Sequence, residues 1–485
     1  MNEPIRRLSV VALAMFLVLM VAASWIQFVQ ADSLNEDNRN VRTLYRQFGA
    51  FRGPFVVSGE SVVYSVPVDD PFNYQRTYVD GPLYSHVIGY FSIGPGLSGL
   101  ERTENQLLNG SADSLFWTRL GDLFAGTEQR GASIELTLDA TLQRVASEQL
   151  GDQRGAVVAL DPRTGAILAM VSHPQFDPAA LAVHSSAETN RIYQALVADE
   201  TDPLINRAIG GDTYPPGSTF KLIVAAAALE SGYTPETPVY APQVLSLPGT
   251  TATIGNYGGA SCSPTDQMSL ADALRISCNT AFADLGMDLG WGVIKRTADA
   301  FGWEERIEIP LGVTPSRLPE SPNAPQVAQS SIGQFDVRTT PLQMAMVAAA
   351  IANDGVLMKP YLVDAARSPD LKVIQKTEPE VYKTPISSLV AAQLTEMMVG
   401  VVDGGTGRSA QISGVAVAGK TGTSETGLGT APHAWFVGFA PADSPTIAIA
   451  VIVENGGNAG LGATGGTIAA PIAKAIIQAR LEQGG

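Results

Sequence analysis

Apolar and polar positions divide the chain into stretches of different texture. Near its start, residues 8–28 (LSVVALAMFLVLMVAASWIQF) carry no charge, and about 21 such residues are enough to cross the hydrocarbon core as one helix. Farther on, ASIELTLDATLQRVASEQLG (132–151) predicts a short strand and then a helix, with Asp139 where an N-cap belongs and Leu142, Val145, Ala146 and Leu150 on one face. GAVVALDPRTGAILAMVS (155–172) contains two β-rich runs separated by Asp161-Pro162-Arg163-Thr164-Gly165, a hairpin signal. Helical spacing dominates from 218 to roughly 301 and returns in PLQMAMVAAAIANDG (341–355), where Gly355 is the expected C-cap. Three β-rich segments follow near the end, GVAVAGKTGT, HAWFVGFA and TIAIAVIVEN, and the apolar segment APIAKAIIQARL is placed to cover them as a helix.

This order gives a domain plan. Residues 1–7 form a short tail and 8–29 a membrane anchor; a polar stretch from 32 to 49 suits a stalk. Residues 51–130 mix short Val/Tyr runs with turns such as Asp80-Gly81-Pro82 and Gly94-Pro95-Gly96, which predicts a small strand-containing domain over 32–130. A second domain, 131–485, reads as α+β, with helices packed on a mainly antiparallel sheet. Arg6 and Arg7 before the apolar run and Asp32, Glu36 and Asp37 after it turn the tail inward and place the body outside the cytoplasm. The competing reading is a signal peptide cleaved near Val29-Gln30-Ala31, but the run exceeds the usual apolar core of about 7 to 15 residues. Either way the body is exported.

Composition narrows the function. A length of 485 residues points to more than one core, and the net charge of −16 speaks against a nucleic-acid partner. Cys262 and Cys278 suit an oxidising compartment, where a disulfide and two buried free thiols both remain open. His86, His173, His184 and His433 are scattered with no metal-ligand spacing, so neither a metal nor any other cofactor is expected. Residues 414–421 (GVAVAGKT) satisfy the P-loop pattern, but the following GTSETGLGTAP does not continue as a helix. No G-x-S-x-G elbow is present.

Three short motifs carry candidate chemistry. Ser218 follows Pro215-Pro216-Gly217 at the start of a helical run, and Lys221, three residues later, shares its face. A desolvated lysine there would accept the serine proton; an N-cap serine beside a solvated lysine is the plainer alternative. Ser277-Cys278-Asn279 offers a hydroxyl and an amide, or simply a helix-end turn. Lys420-Thr421-Gly422-Thr423 lies on an alternating segment suited to a substrate carboxylate.

Taken in order, S-x-x-K, S-x-N and K-T-G resemble the signature of the serine penicillin-recognising enzymes. NRAIGGDTYPPGSTFK, TTPLQMAMVAAAIANDGVLMKP and VAGKTGTSE extend the resemblance over residues 131–485. With no glycosyltransferase-sized domain ahead of it, the chain resembles the class B penicillin-binding proteins, most of all their actinobacterial members. Many of these read Gly-Gln-Gly where this chain has Gly333-Gln334-Phe335.

The resemblance implies a transpeptidase domain with a five-stranded, mainly antiparallel sheet and an all-helical lobe. It implies a peptidoglycan D,D-transpeptidase of cell-wall synthesis and division that β-lactams acylate. Ser218 would be the nucleophile, Lys221 the base and Ser277 a proton relay; Asn279, Lys420, Thr421, Gly422 and Thr423 would bind substrate, and the N–H groups of Ser218 and Thr423 would form the oxyanion hole. The implied partners are stem peptides, β-lactams, the plasma membrane crossed once, a membrane glycan polymerase and other wall-synthesis proteins. A carboxypeptidase, a β-lactamase or an idle scaffold are the rival readings.

Overall fold

The computed structural model describes residues 2–30, 48–427 and 429–484. Helix α1, Asn2–Ser24, runs on through a π-helical turn, Trp25–Val29. It therefore begins before the expected anchor and takes in Arg6 and Arg7. Its large apolar side chains, Leu8, Phe16, Leu19 and Phe28 among them, are exposed all round, and the helix is long and apolar enough to cross a membrane. Most of the expected stalk, residues 31–47, lies outside the described residues.

Strands β1 (Phe55–Val57), β2 (Glu60–Pro67) and β3 (Tyr74–Tyr78) form an antiparallel meander in the region predicted to hold short strands. They do not stand alone. β4 (Ser133–Leu136) pairs in parallel with β1, and further along the chain β7 (Val363–Arg367) and β8 (Val373–Lys376) complete a sheet of order β8-β7-β4-β1-β2-β3. This sheet is thus built from both sides of residue 131. Phe55, Val57, Val63, Ile134 and Leu136 are among its buried positions.

The second sheet joins β5 (Gly155–Leu160), β6 (Ile167–His173), β9 (Ala418–Ser424), β10 (His433–Ala440) and β11 (Ile447–Val453) in the order β9-β10-β11-β5-β6, antiparallel throughout. Both faces are covered, so these strands read as continuous apolar runs rather than as alternation. Ala156, Val158, Ala448 and Ala450 pack on the side of Pro341–Ala352, a helix buried along nearly its whole length. Val157, Ala159, Val451 and Ile449 pack on the other side, with Leu142, Ala146 and Leu150 of Ala140–Leu150 and Ile472, Ile476 and Ile477 of the terminal helix Ala470–Glu482. Asp139 caps its helix by accepting from Leu142 N at 2.9 Å. The helix Pro341–Ala352 ends at Asn353, and Gly355 takes the left-handed turn two residues later, donating to Ala350 O.

The remaining lobe carries the helices Lys221–Glu230, Leu270–Arg275, Asn279–Leu289 and Trp291–Ala300. It is not purely helical. Pro238–Tyr240 pairs with Gln267–Ser269, and Val244–Ser246 with Thr253–Gly255. Pro235, Pro238, Pro242 and Pro248 account for the break in the expected helix, because each removes an amide donor and blocks a helical turn.

Candidate active site

Hydrogen bonds from neighbouring segments hold the stretch leading to Ser218. Tyr214 exchanges two backbone bonds with Thr339 (2.9 and 2.8 Å), and Gly217 N donates to Gly333 O at 3.0 Å. Trp435 Nε1 donates to Pro215 O at 3.1 Å. Gly217–Phe220 then forms a 3₁₀ turn that runs into Lys221–Glu230. Three glycines allow this packing. Gly217 has φ 53°, a Cβ on Gly333 would lie 2.0 Å from Gly217 O, and one on Gly422 would lie 2.9 Å from Thr219 Cγ2. Gly333 thus supports the serine-bearing turn directly, while Phe335 sits in the left-handed region at φ 59° and is exposed.

Ser218 is half-buried and its hydroxyl has no hydrogen-bond partner among the described residues. Lys221 is fully buried. Its Nζ donates to Ser277 O and Asn279 Oδ1, both at 2.7 Å, and lies 3.2 Å from Ser277 Oγ. Burial pushes the Lys221 amine well below the usual lysine range, and the nearby Lys420 pushes it the same way. A neutral amine has two hydrogens and one lone pair. In the neutral form the Ser277 carbonyl and the Asn279 amide oxygen, which can only accept, would take the two hydrogens and leave the lone pair for a hydroxyl, Ser277 Oγ at 3.2 Å being one within range. Lys420, also fully buried, donates from Nζ to Ser277 Oγ at 2.8 Å and to Thr421 O at 2.9 Å. Burial lowers its pKa to about 7. Ser277 Oγ therefore bridges the two lysines.

Ser277 reaches this place through strain. It has φ 63°, and the turn after Leu270–Arg275 is closed by Ser277 N to Leu274 O and Cys278 N to Ala273 O. The helix-end turn and the convergent hydroxyl are the same structure, and positive φ at a non-glycine residue costs on the order of 1–3 kcal/mol. Asn279 opens the next helix, whose free amides are capped from outside: Asn256 Oδ1 accepts from Asn279 N at 2.9 Å and from Thr280 N at 3.1 Å. A disulfide joins Cys262 to Cys278 across 16 positions and ties the loop that carries Asn256 to the Ser277 turn.

On β9, the edge strand, Thr421 Oγ1 lies 2.6 Å from Thr406 Oγ1, and Thr423 Oγ1 accepts from Gly465 N at 3.4 Å. A Cβ on Gly217 would meet Thr423 O at 2.8 Å, so that carbonyl faces the serine-bearing turn. In an antiparallel strand a residue's N–H points to the same side as its C=O, which turns the Thr423 N–H toward Ser218. The structure thus brings together Lys221, Ser277, Asn279 and Lys420 through direct bonds, and sets Ser218, Gly422 and Thr423 along the same seam. Sequence reasoning missed Asn256, Thr406 and Tyr214. An N-cap drawn from 23 positions upstream leaves no local signal.

Comparison with known proteins agrees with this geometry. Residues 155–478 match the model of the penicillin binding protein transpeptidase domain, and residues 52–134 that of the penicillin binding protein A dimerisation domain. A peptidoglycan D,D-transpeptidase PbpA of Mycolicibacterium smegmatis is 44% identical over 100% of both chains, and the protein of that name from Mycobacterium tuberculosis is 42% identical over 99% of both. The solved M. tuberculosis penicillin-binding protein A, as a ceftriaxone acyl-enzyme complex, superposes with a TM-score of 0.87 at 42% identity, covering 90% of this chain and 100% of that one. With this fold and these full-length relatives, the chain belongs to the penicillin-binding proteins, in the group of the actinobacterial penicillin-binding protein A.

Proposed function

We infer that the protein is a membrane-anchored peptidoglycan D,D-transpeptidase that works through an acyl-enzyme on Ser218 and is acylated there by β-lactams. The observation that carries this reading is the setting of Lys221, a fully buried amine that burial drives well below the usual lysine range and whose two short bonds go to groups that can only accept; the lone pair of its neutral form would take the Ser218 proton. The relatives' names and the acyl-enzyme complexes of their structures support it.

Ser218 Oγ attacks the carbonyl of the penultimate D-alanine, and its proton passes to Lys221 Nζ. The N–H groups of Ser218 and Thr423 receive the developing oxyanion. Ser277, bonded to both lysines, passes a proton to the departing D-alanine amine, while Lys420, Thr421 and Thr423 hold its carboxylate and Asn279 the peptide amide. The amine of a neighbouring stem then attacks the ester and regenerates Ser218. The short tail, residues 1–7, faces the cytoplasm, Arg6 and Arg7 holding that side, and the catalytic body faces the wall. There it accompanies a membrane glycan polymerase and other proteins of wall synthesis and division.

Among the described residues none of the groups bonded to Lys221, Ser277 or Lys420 is a carboxylate, which favours transfer to an amine over rapid transfer to water. The test is covalent labelling by a fluorescent penicillin. Persistent label that is absent from Ser218→Ala and Lys221→Ala supports the reading; rapid loss of label means a hydrolase, and no label on the folded chain means a scaffold.

A further inference from the structure

A second buried polar group lies behind the catalytic seam, centred on Glu454 at the end of β11. Glu454 is 8% exposed, and three side chains converge on its carboxylate. Tyr214 Oη donates to Oε1 at 2.6 Å, Arg207 Nε to the same oxygen at 2.9 Å, and Arg154 Nε to Oε2 at 3.1 Å. Arg207, 2% exposed, spends its remaining donors on Asp202 O and Thr201 O. The Tyr214 ring is boxed edge-on by His433, at 5.4 Å between centroids, and by Trp435, at 6.1 Å. Burial, then the Glu454 charge, keeps the phenol protonated far above its usual range, so it remains a donor to the carboxylate.

Tyr214 stands four residues before Ser218, and only Pro215, Pro216 and Gly217 intervene. The two prolines make that link stiff, so a shift at Tyr214 is carried to the serine rather than absorbed. Glu454 is in turn fixed to the sheet, its N donating to Arg154 O at 2.8 Å, and the next residue, Asn455, donates from N to His433 Nδ1 at 3.1 Å. A carboxylate anchored on the central sheet therefore sets the height of the segment that presents the nucleophile.

We propose that Glu454 is a positioning residue for acylation, acting through the Tyr214 hydroxyl to place Ser218 against Lys221 and the edge of β9. It touches neither substrate nor reacting atoms. The proposal rests on the reading of Ser218 as the nucleophile. A misplacement of about 1 Å of a reacting group is worth on the order of 100-fold in rate, and loss of one of several anchors is expected to cost about tenfold.

The test uses the full chain in detergent micelles and a fluorescent penicillin, separating the saturating acylation rate from the dissociation constant of the preceding non-covalent complex, with thermal unfolding in parallel. Tyr214→Phe removes the one hydroxyl and leaves the Arg207 and Arg154 pairs with Glu454 intact, and Glu454→Asp withdraws the carboxylate while keeping its charge. Each is expected to lower the saturating rate about tenfold with the non-covalent constant unchanged, and the double variant to be no slower than Glu454→Asp alone, because the Tyr214 bond is already lost in that variant. The proposal is overturned if Tyr214→Phe acylates at the wild-type rate, or if it lowers only the fraction of molecules that take label. Should Glu454→Asp fail to fold, Tyr214→Phe alone decides. Wild-type protein that takes no label, or label that persists in Ser218→Ala, would instead overturn the nucleophile assignment.

Discussion

In the N-terminal sheet region, Glu101 is fully buried between Arg52 and Arg76, with bonds of 2.6 Å from Arg52 Nη2 and 2.6 Å from Arg76 Nε. In the catalytic seam, Lys221 and Lys420 are equally buried, and their partners are a carbonyl, an amide oxygen and a hydroxyl. At Glu101, burial raises the pKa, and the charges of Arg76 and Arg52 outweigh it, so the carboxyl stays ionised below its usual range. At the lysines nothing opposes burial, and both are driven down, Lys420 to about 7. Equal burial produces a locked ion cluster in one place and two amines driven toward the neutral form in the other. What differs is whether a counter-charge was buried with the group.

The comparison is broken most severely by giving the lysines a carboxylate. Asn279→Asp puts an anion 2.7 Å from Lys221 Nζ, which favours the ammonium and fills the lone pair. Penicillin acylation at pH 7 is expected to fall by about 10² to 10⁴, the range of a lost general base, with the fold retained. The reverse change, Glu101→Gln, strips the counter-charge from Arg52 and Arg76. Unfolding in urea is expected to show a loss of about 3–5 kcal/mol, while molecules that remain folded acylate normally. Opening the Cys262–Cys278 disulfide, by Cys262→Ser with Cys278→Ser, is expected to cost about 3 kcal/mol through the freed loop, again read from urea unfolding.

Smaller effects follow from pH. Lys420 must be protonated to hold a substrate carboxylate, so the second-order acylation constant is expected to decline above about 7, and Lys420→Arg to abolish the decline while retaining binding. Stability responds in two separate windows. The Glu101 contribution is present above 4.5, the ordinary value, and is lost as pH falls through the lower folded pKa. For Lys420 the unfolded chain binds the extra proton, so stability rises with pH from about 7 to 10.5. Urea midpoints measured across both ranges, with Glu101→Gln and Lys420→Met as references, check the two signs.

Local signals were readable and long-range partners were not. The hairpin at 161–165, the Asp139 cap and the three closing strands depend on neighbours in sequence, and each stood in the pattern of the chain. The pairing of β4 with β1 and β7 joins segments tens to hundreds of positions apart, and an apolar run does not record which strand lies beside it. The same holds at the site. S-x-x-K, S-x-N and K-T-G were visible as motifs, but the bond of Tyr214 to Glu454 spans 240 positions. The proline-rich stretch after Gly232 lies inside a region where helical spacing dominates, and its short ladders form where prolines deny helical hydrogen bonds.

The proposed mechanism requires Lys221 to be an uncharged amine in the folded protein at neutral pH. The direct measurement is a pH titration of lysine ¹³Cε resonances in the full chain, labelled at lysine and held in micelles, with Lys221→Arg to assign the signal. The account predicts a resonance at the neutral-amine position at pH 7 that is missing from the Lys221→Arg spectrum. A Lys221 signal that stays at the ammonium position until the pH approaches 10.5, the ordinary lysine value, would contradict it.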